Sequence, residues 1–309
     1  MLDNTEAGRD IEADSLKESA GRLIGNDDKA GKKYWDKTWH RRGLLYPWPA
    51  NLGTVRNYAR RRLFTELIRA VSFAKRDGCD VRLIEVGCAG SRLLPALARA
   101  KGISVTGIDY SLVGAEQARA MLDREGIRGE IFHADMFNPP DELIGGFDVV
   151  VSLGLVEHFQ ITSGAVEALA RFLKPGGVIF TQIPNMKGTV GWFQRRLCLK
   201  VFDTHISIGP AELRLAHKHA GLSVIECGYF LSTNFGVLNA AGTEDKRVVR
   251  AAKLSLRGIL MMISFAVWMM EHLLGEFPAT QHFSPYINCI AVRPKLTSNS
   301  AEKDIPVES

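Results

Sequence analysis

The sequence predicts a three-layer α/β fold, a mostly parallel sheet with helices on both faces. Three observations carry this. Short runs rich in Val and Ile recur at 81–86 (VRLIEV), 104–109 (SVTGID), 130–134 (EIFHA), 147–152 (FDVVVS) and 178–183 (VIFTQI). They alternate with stretches of helical periodicity near 92–101, 112–125 and 163–173. Several runs are apolar at consecutive positions, the pattern of strands buried on both sides, and the alternation implies parallel strands joined by right-handed crossovers.

The elements follow in order. Residues 1–30 are charged and lack apolar periodicity, so a disordered tail is expected there. The next stretch holds Tyr34, Trp35, Trp39, Tyr46 and Trp48, and aromatics this dense ahead of a domain are expected to pack onto it. From Thr54 a helix is expected, because Phe64, Leu67, Ile68 and Val71 fall at i, i+3, i+4 and i+7, with Asp77-Gly78 as its stop. Residues 31–78 thus form an aromatic and helical cap before a domain over 79–295. Lys174-Pro175-Gly176-Gly177 reads as a turn between a helix and a strand, without chemistry of its own. A helix over 210–220 opens on Pro210 and ends at Gly221. Runs at 223–230 and 286–294 read as two more strands, with an insertion at 231–283 between them. Residues 296–309 return to a polar, disordered tail.

Composition excludes several classes. With 309 residues, 46% hydrophobic and 24% charged, the chain can bury a large core and is neither disordered nor collagen-like. A net charge of +5 is too mild to indicate a nucleic-acid partner. The cysteines at 79, 88, 198, 227 and 289 are odd in number and form no Cys-x-x-Cys clip, which fits reduced thiols, and no metal site is expected. The first residues are acidic and lack the apolar stretch of a leader, so a cytoplasmic location is expected.

In an open α/β sheet, ligands bind where strands end and their order reverses. After the first strand comes Glu85-Val86-Gly87-Cys88-Ala89-Gly90-Ser91, small residues that let backbone approach a ligand. Asp109 ends the second strand, where a carboxylate either accepts from ribose hydroxyls or caps the next helix. Asp135 and Met136 follow the third, with a base or with a plain loop as their use. A nicotinamide fingerprint fails, since Ala89 and Arg92 stand where Gly-x-Gly-x-x-Gly from Gly87 needs glycine, and Gly-x-x-x-x-Gly-Lys is absent.

The set LIEVGCAGS, VTGIDYS, HADMF, FDVVVSLGLVEHF and LKPGGVIFTQIPN resembles class I S-adenosylmethionine-dependent methyltransferases over about residues 80–230 and on to the last strand. The resemblance implies a Rossmann-like sheet of seven strands, the last antiparallel. It also implies S-adenosylmethionine as cofactor, held by Glu85, Gly87, Ala89, Asp109, Asp135, Met136 and Ser152. Family members often carry Gly-x-Gly-x-Gly in the turn, whereas Gly87, Ala89 and Ser91 stand here.

By the same resemblance, residues 152–159 lie beside the reactive methyl group. Glu157 and His158 then either cap the following helix or take part in catalysis, with His158 the first choice of base and His205 the second. The implied function is methyl transfer to a small-molecule acceptor, at oxygen. The alternatives are transfer to nitrogen or carbon of a quinone- or lipid-like acceptor, or a silent cofactor-binding module. Acceptor contacts are expected from 34–48, 187–209 and 231–283. Within the last, Ile259 to Met270 is apolar apart from Ser264, a run of 12 residues too short to span a bilayer, which takes about 20. The helix over 246–276 is expected to pack on the domain or on a second copy, a homodimer, with peripheral membrane contact as the rival.

Overall fold

A computed structural model describes residues 28–42, 46–47, 53–74, 79–239 and 245–295. Trp48 and the Asp77-Gly78 stop lie outside the described residues. The chain opens with α1 (Lys32–Arg42), then a 3-10 turn at Val55–Asn57 leads into α2 (Tyr58–Ala74). There follow β1 (Val81–Val86), α3 (Leu94–Ala98), β2 (Ile103–Asp109), α4 (Leu112–Arg124), β3 (Gly129–His133) and β4 (Phe147–Leu153). The second half runs α5 (Thr162–Ala170), β5 (Leu173–Pro184), α6 (Thr189–Leu197), α7 (Leu199–Asp203), α8 (Pro210–His219), β6 (Ser223–Phe230), α9 (Arg247–Leu274) and β7 (Tyr286–Val292).

The seven strands form one sheet in the order β3-β2-β1-β4-β5-β7-β6, and β7 runs antiparallel to both β5 and β6. The expected seven-stranded architecture is therefore present. The consecutive apolar residues of each strand divide between two cores. Leu83, Val149, Val151 and Phe180 face α2, α3 and α4, whereas Ile84, Val86, Val150 and Ile179 face α5 and α8. Strand order reverses between β1 and β4, so their carboxyl ends open the crevice where ligands bind in such sheets.

Three elements differ from expectation. The helix expected at 92–101 is a single turn, Leu94–Ala98. The turn at 174–177 is absorbed into β5, whose register slips between Phe147 and Val149 on β4, and Gly176 takes φ +81° there. The third difference is α9. It is 28 residues long, so its length is roughly 42 Å, and by length and composition it is apolar enough to cross a membrane. The apolar run of 12 residues therefore understated the element. Nor does its own domain bury it. Leu260, Ser264, Trp268 and Glu271 form one buried stripe, with Trp268 donating to the Thr233 carbonyl at 2.8 Å and stacked on Tyr58. Ile259, Met262, Ile263, Met269, Met270, Leu273 and Leu274 stay exposed on the outer side.

One close approach positions the site. A Cβ on Gly114, in the first turn of α4, would lie 2.3 Å from Ala89 Cβ, so only glycine lets α4 sit against the turn after β1. Gly114→Ala is expected to cost about 1–3 kcal/mol through overpacking. Gly258→Ala, on the open side of α9 with nothing within 4 Å, is expected to gain up to about 1 kcal/mol of helix propensity. Thermal or urea unfolding of the two variants measures both, and the shifts should have opposite sign.

Candidate active site

The turn after β1 carries two left-handed residues, Gly87 (φ +78°) and Gly90 (φ +56°). Ala89 and Ser91 have negative φ, so the missing glycines at these positions cost no strain. Ser91 has its own task. Its Oγ donates to Glu85 Oε2 at 2.5 Å and accepts from the amides of Leu93 and Leu94, starting α3.

Asp109, at the end of β2, accepts from Ala89 N and Ser111 N, each at 2.8 Å. It therefore ties the glycine turn to the start of α4. Each carboxylate oxygen still has a lone pair free, and the group lines a cavity of about 270 Å³. Glu85, Gly87, Ala89, Asp135 and Met136 line the same cavity. Asp135 is exposed and accepts from Phe137 N, and Met136 is buried beside Phe137 and Phe159.

Ser152 is the exception among the expected cofactor residues. It is fully buried inside β4 and lines neither this cavity nor its neighbour. Side chains alternate across a strand, and the cavity wall here begins one residue later, with Leu153, Gly154 and Leu155.

Other lining residues were not among the expected cofactor contacts, although 34–48 was expected to meet the acceptor. Trp35 and Trp39, four apart on α1, cover the opening, and α1 is pinned by Ser111 Oγ to Asp36 (2.6 Å) and by Gln117 Nε2 to the Trp39 carbonyl (2.8 Å). Asp28, grouped with the tail in the sequence, accepts from the Tyr110 hydroxyl and pairs with Phe159. The spacing of Trp35 and Trp39 was a visible signal, but Asp28 had none.

A second, larger cavity of about 1160 Å³ adjoins the first. Trp35, Trp39, Arg92, Leu153, Gly154 and His158 line both. Glu157 and His205 line the second only, so all three catalytic candidates gather at or beside the shared wall. His158 Nδ1 donates to the Thr204 carbonyl at 2.7 Å, and His205 Nδ1 donates to the Val201 carbonyl at 2.6 Å. A carbonyl only accepts, so in each ring Nε2 keeps its lone pair. Burial holds His158 below the usual imidazole range and takes His205 down to about 4, so both rings are neutral at pH 7. Burial pushes Glu157 up to about 8, and neither of its oxygens has a hydrogen-bond partner. Glu157 does not cap α5; its backbone carbonyl receives Ile206 N, and that of His158 receives Lys29 N.

Two carboxyls of the smaller cavity are also raised. Burial, and then Asp109's charge, push Glu85 up to about 7 against the Ser91 bond, and burial takes Asp109 to about 6. A raised acid binds more protons folded than unfolded, so its contribution to stability is full below the unfolded value and is lost as pH rises through the folded one. Wild type is therefore expected to lose stability relative to Glu85→Gln between about pH 4.5 and 7, at a slope approaching 1.4 kcal/mol per pH unit. Urea titrations of the unliganded protein across this range measure it. A difference that does not change with pH would remove the raised Glu85.

Comparison with known proteins places the chain in a family. A family model described as a methyltransferase domain matches residues 55–227. The chain is 27% identical over 209 residues to a ubiquinone biosynthesis O-methyltransferase of Nitrosococcus oceani, covering 65% of this chain and 81% of that protein. Among solved structures, that of the 4+2 cyclase SpnF superposes with TM-score 0.55 at 18% identity, over 87% of this chain and 96% of that one. Magnesium protoporphyrin IX methyltransferase from Synechocystis PCC 6803, with bound SAH, gives TM-score 0.50 at 16% identity, over 86% and 100%. At such identities the structures speak for the fold alone. The family match covers more than half of the chain, and the chain belongs to the class I S-adenosylmethionine-dependent methyltransferases, enzymes that take S-adenosylmethionine as cofactor.

Proposed function

We propose that this enzyme methylates a hydroxyl oxygen of a small, partly apolar, quinone-like acceptor held in the larger cavity. The observation that carries this is the shared wall, where a cofactor-sized cavity meets an acceptor-sized one beside three groups suited to hydroxyl chemistry. The relative's name, an O-methyltransferase of ubiquinone biosynthesis, supports oxygen as the acceptor atom and a quinone-like ring as its carrier.

Bound S-adenosylmethionine supplies a methyl group already activated by the sulfonium, which leaves the protein to bind, orient and exclude water. Backbone at Gly87 to Gly90 would pass its methionine part, Asp109 with Glu85 its ribose, and Asp135 with Met136 its base. The four carboxyls that line that cavity, Asp28, Glu85, Asp109 and Asp135, also suit a cationic donor. Trp35 and Trp39 close the crevice, and their rings, with Leu153, give a flat apolar surface to an acceptor ring. A hydroxyl must lose its proton as it attacks. The groups placed to assist are the neutral Nε2 atoms of His158 and His205 and the Glu157 carboxyl.

A further observation supports a membrane surface as the source of the acceptor. The inner side of α9 lines the larger cavity with Lys253, Arg257, Met261 and Trp268, and its outer side is the exposed apolar stripe. Lys246, Arg247 and Arg250 stand exposed at its start, complementary to anionic headgroups. In this proposal the enzyme works from the cytoplasm, where its five free cysteines stay reduced, and rests α9 on the bilayer.

Two experiments test these proposals. Labelled-methyl transfer into a cell extract should mark a phenolic or enolic ether. Asp109→Ala should weaken cofactor binding about 10- to 100-fold. His158→Ala should keep that affinity but lower turnover about 10²–10⁴-fold. Label on nitrogen or carbon would sink the oxygen assignment. In flotation with anionic vesicles at physiological salt, most of the protein should float, and Met262→Glu with Met269→Glu should abolish it. Protein that stays at the bottom as a dimer would assign the stripe to a second copy instead.

A further inference from the structure

We propose that Glu157, His158 and His205 bind a divalent transition-metal cation, Zn²⁺ in the first place, at the boundary of the two cavities. The proposal rests on oxygen as the acceptor atom and states how the hydroxyl is activated.

Geometry comes first. The ligand atoms of the three side chains lie within 4.8 Å of one another, and His158 Nε2 is 4.0 Å from Glu157 Oε1. A tetrahedral site with bonds of about 2.0–2.2 Å holds its ligand atoms roughly 3.4 Å apart. Small side-chain rotations would close the set. Both imidazoles also carry the support that metal-bound histidines show, Nδ1–H fixed on a backbone carbonyl, which leaves Nε2 as the atom able to ligate.

The second observation is the Glu157 carboxyl, 1% exposed, with both oxygens unpartnered. Ionised, it is a buried charge without a counter-charge. Protonated, its O–H finds no acceptor. Either form is costly, and such groups call for an explanation. A cation at this position satisfies both oxygens. Backbone bonds hold the turn from both sides, with Lys29 N on the His158 carbonyl and Ile206 N on that of Glu157. Two imidazoles and one carboxylate suit Zn²⁺ and its first-row neighbours, whereas Mg²⁺ and Ca²⁺ prefer oxygen donors.

Three protein ligands leave a position open, and all three residues line the acceptor cavity. An acceptor hydroxyl placed there becomes more acidic, as water does on catalytic zinc. Its proton leaves to water in the cavity. The oxygen's electron pair then forms the new C–O bond, and the pair of the breaking S–CH₃ bond returns to sulfur. No oxidant or reductant is involved.

Protein stripped with chelator is titrated with Zn²⁺ by calorimetry and with Co²⁺ by visible absorption. The expected result is one cation per chain, with Co²⁺ bands of a low-coordinate nitrogen and oxygen site. Glu157→Gln and His205→Gln should each lower the affinity at least about 100-fold, the upper range even for partners behind a ligand. Calorimetric binding of S-adenosylhomocysteine should persist in both and reports that they fold. If Glu157→Gln does not fold, His205→Gln, at a half-buried position, decides the outcome. Failure of stripped wild type to bind either cation, or unchanged affinity in a folded variant, would overturn the site. A bound cation together with label on nitrogen or carbon would leave the site standing and overturn the oxygen assignment alone.

Discussion

The architecture of the site depends on the Asp109 carboxylate, which holds the glycine turn and the start of α4 together through two backbone amides at 2.8 Å. That clamp works only because Gly114 has no side chain where α4 meets Ala89. Once the two segments touch, Gly87 and Gly90 adopt left-handed backbone and the ends of β1 and β4 part into a crevice. Asp109 thus serves as a strut whose carboxylate also faces the smaller cavity. The cost is a cluster of buried acids, Glu85 and Asp109, whose charges repel.

The larger cavity is built from what surrounds the sheet. Residues 28–42, the 157–158 turn, the 198–206 segment and α9 meet around the larger cavity. They are joined by backbone bonds and ring contacts, such as Trp35 on His158 and His158 on His205, at 5.0 and 4.6 Å between centroids. Val190 and Leu197 of α6 pack with Phe235 and Leu260 into a small third core that roofs this side. These segments can therefore change while the crevice at the strand ends stays constant.

The sheet was legible in the sequence because strands buried on both faces must be apolar at consecutive positions, as Leu83 and Ile84 or Val149 to Val151 show. The cofactor crevice was legible because its residues sit at successive strand ends. Ser152 was misplaced because a strand's end is uncertain by a residue and one residue changes the face. The Glu157, His158 and His205 cluster was visible only as candidates. His205 lies far along the chain, and its approach depends on how α7 folds back. Nothing local marks Asp28 as a partner of Tyr110, since that contact spans 82 residues. The helix of α9 was legible, but its exposed outer side was not, because composition does not tell which side of a helix its own domain covers.

The measurement that tests the central claim most directly is a crystal structure of the protein with S-adenosylhomocysteine. The expected result places the nucleoside between Asp109 and Met136, with the sulfur turned toward Gly154 and His158 at the mouth of the larger cavity. A nucleoside bound elsewhere, or a sulfur facing away from the Glu157, His158 and His205 wall, would contradict it.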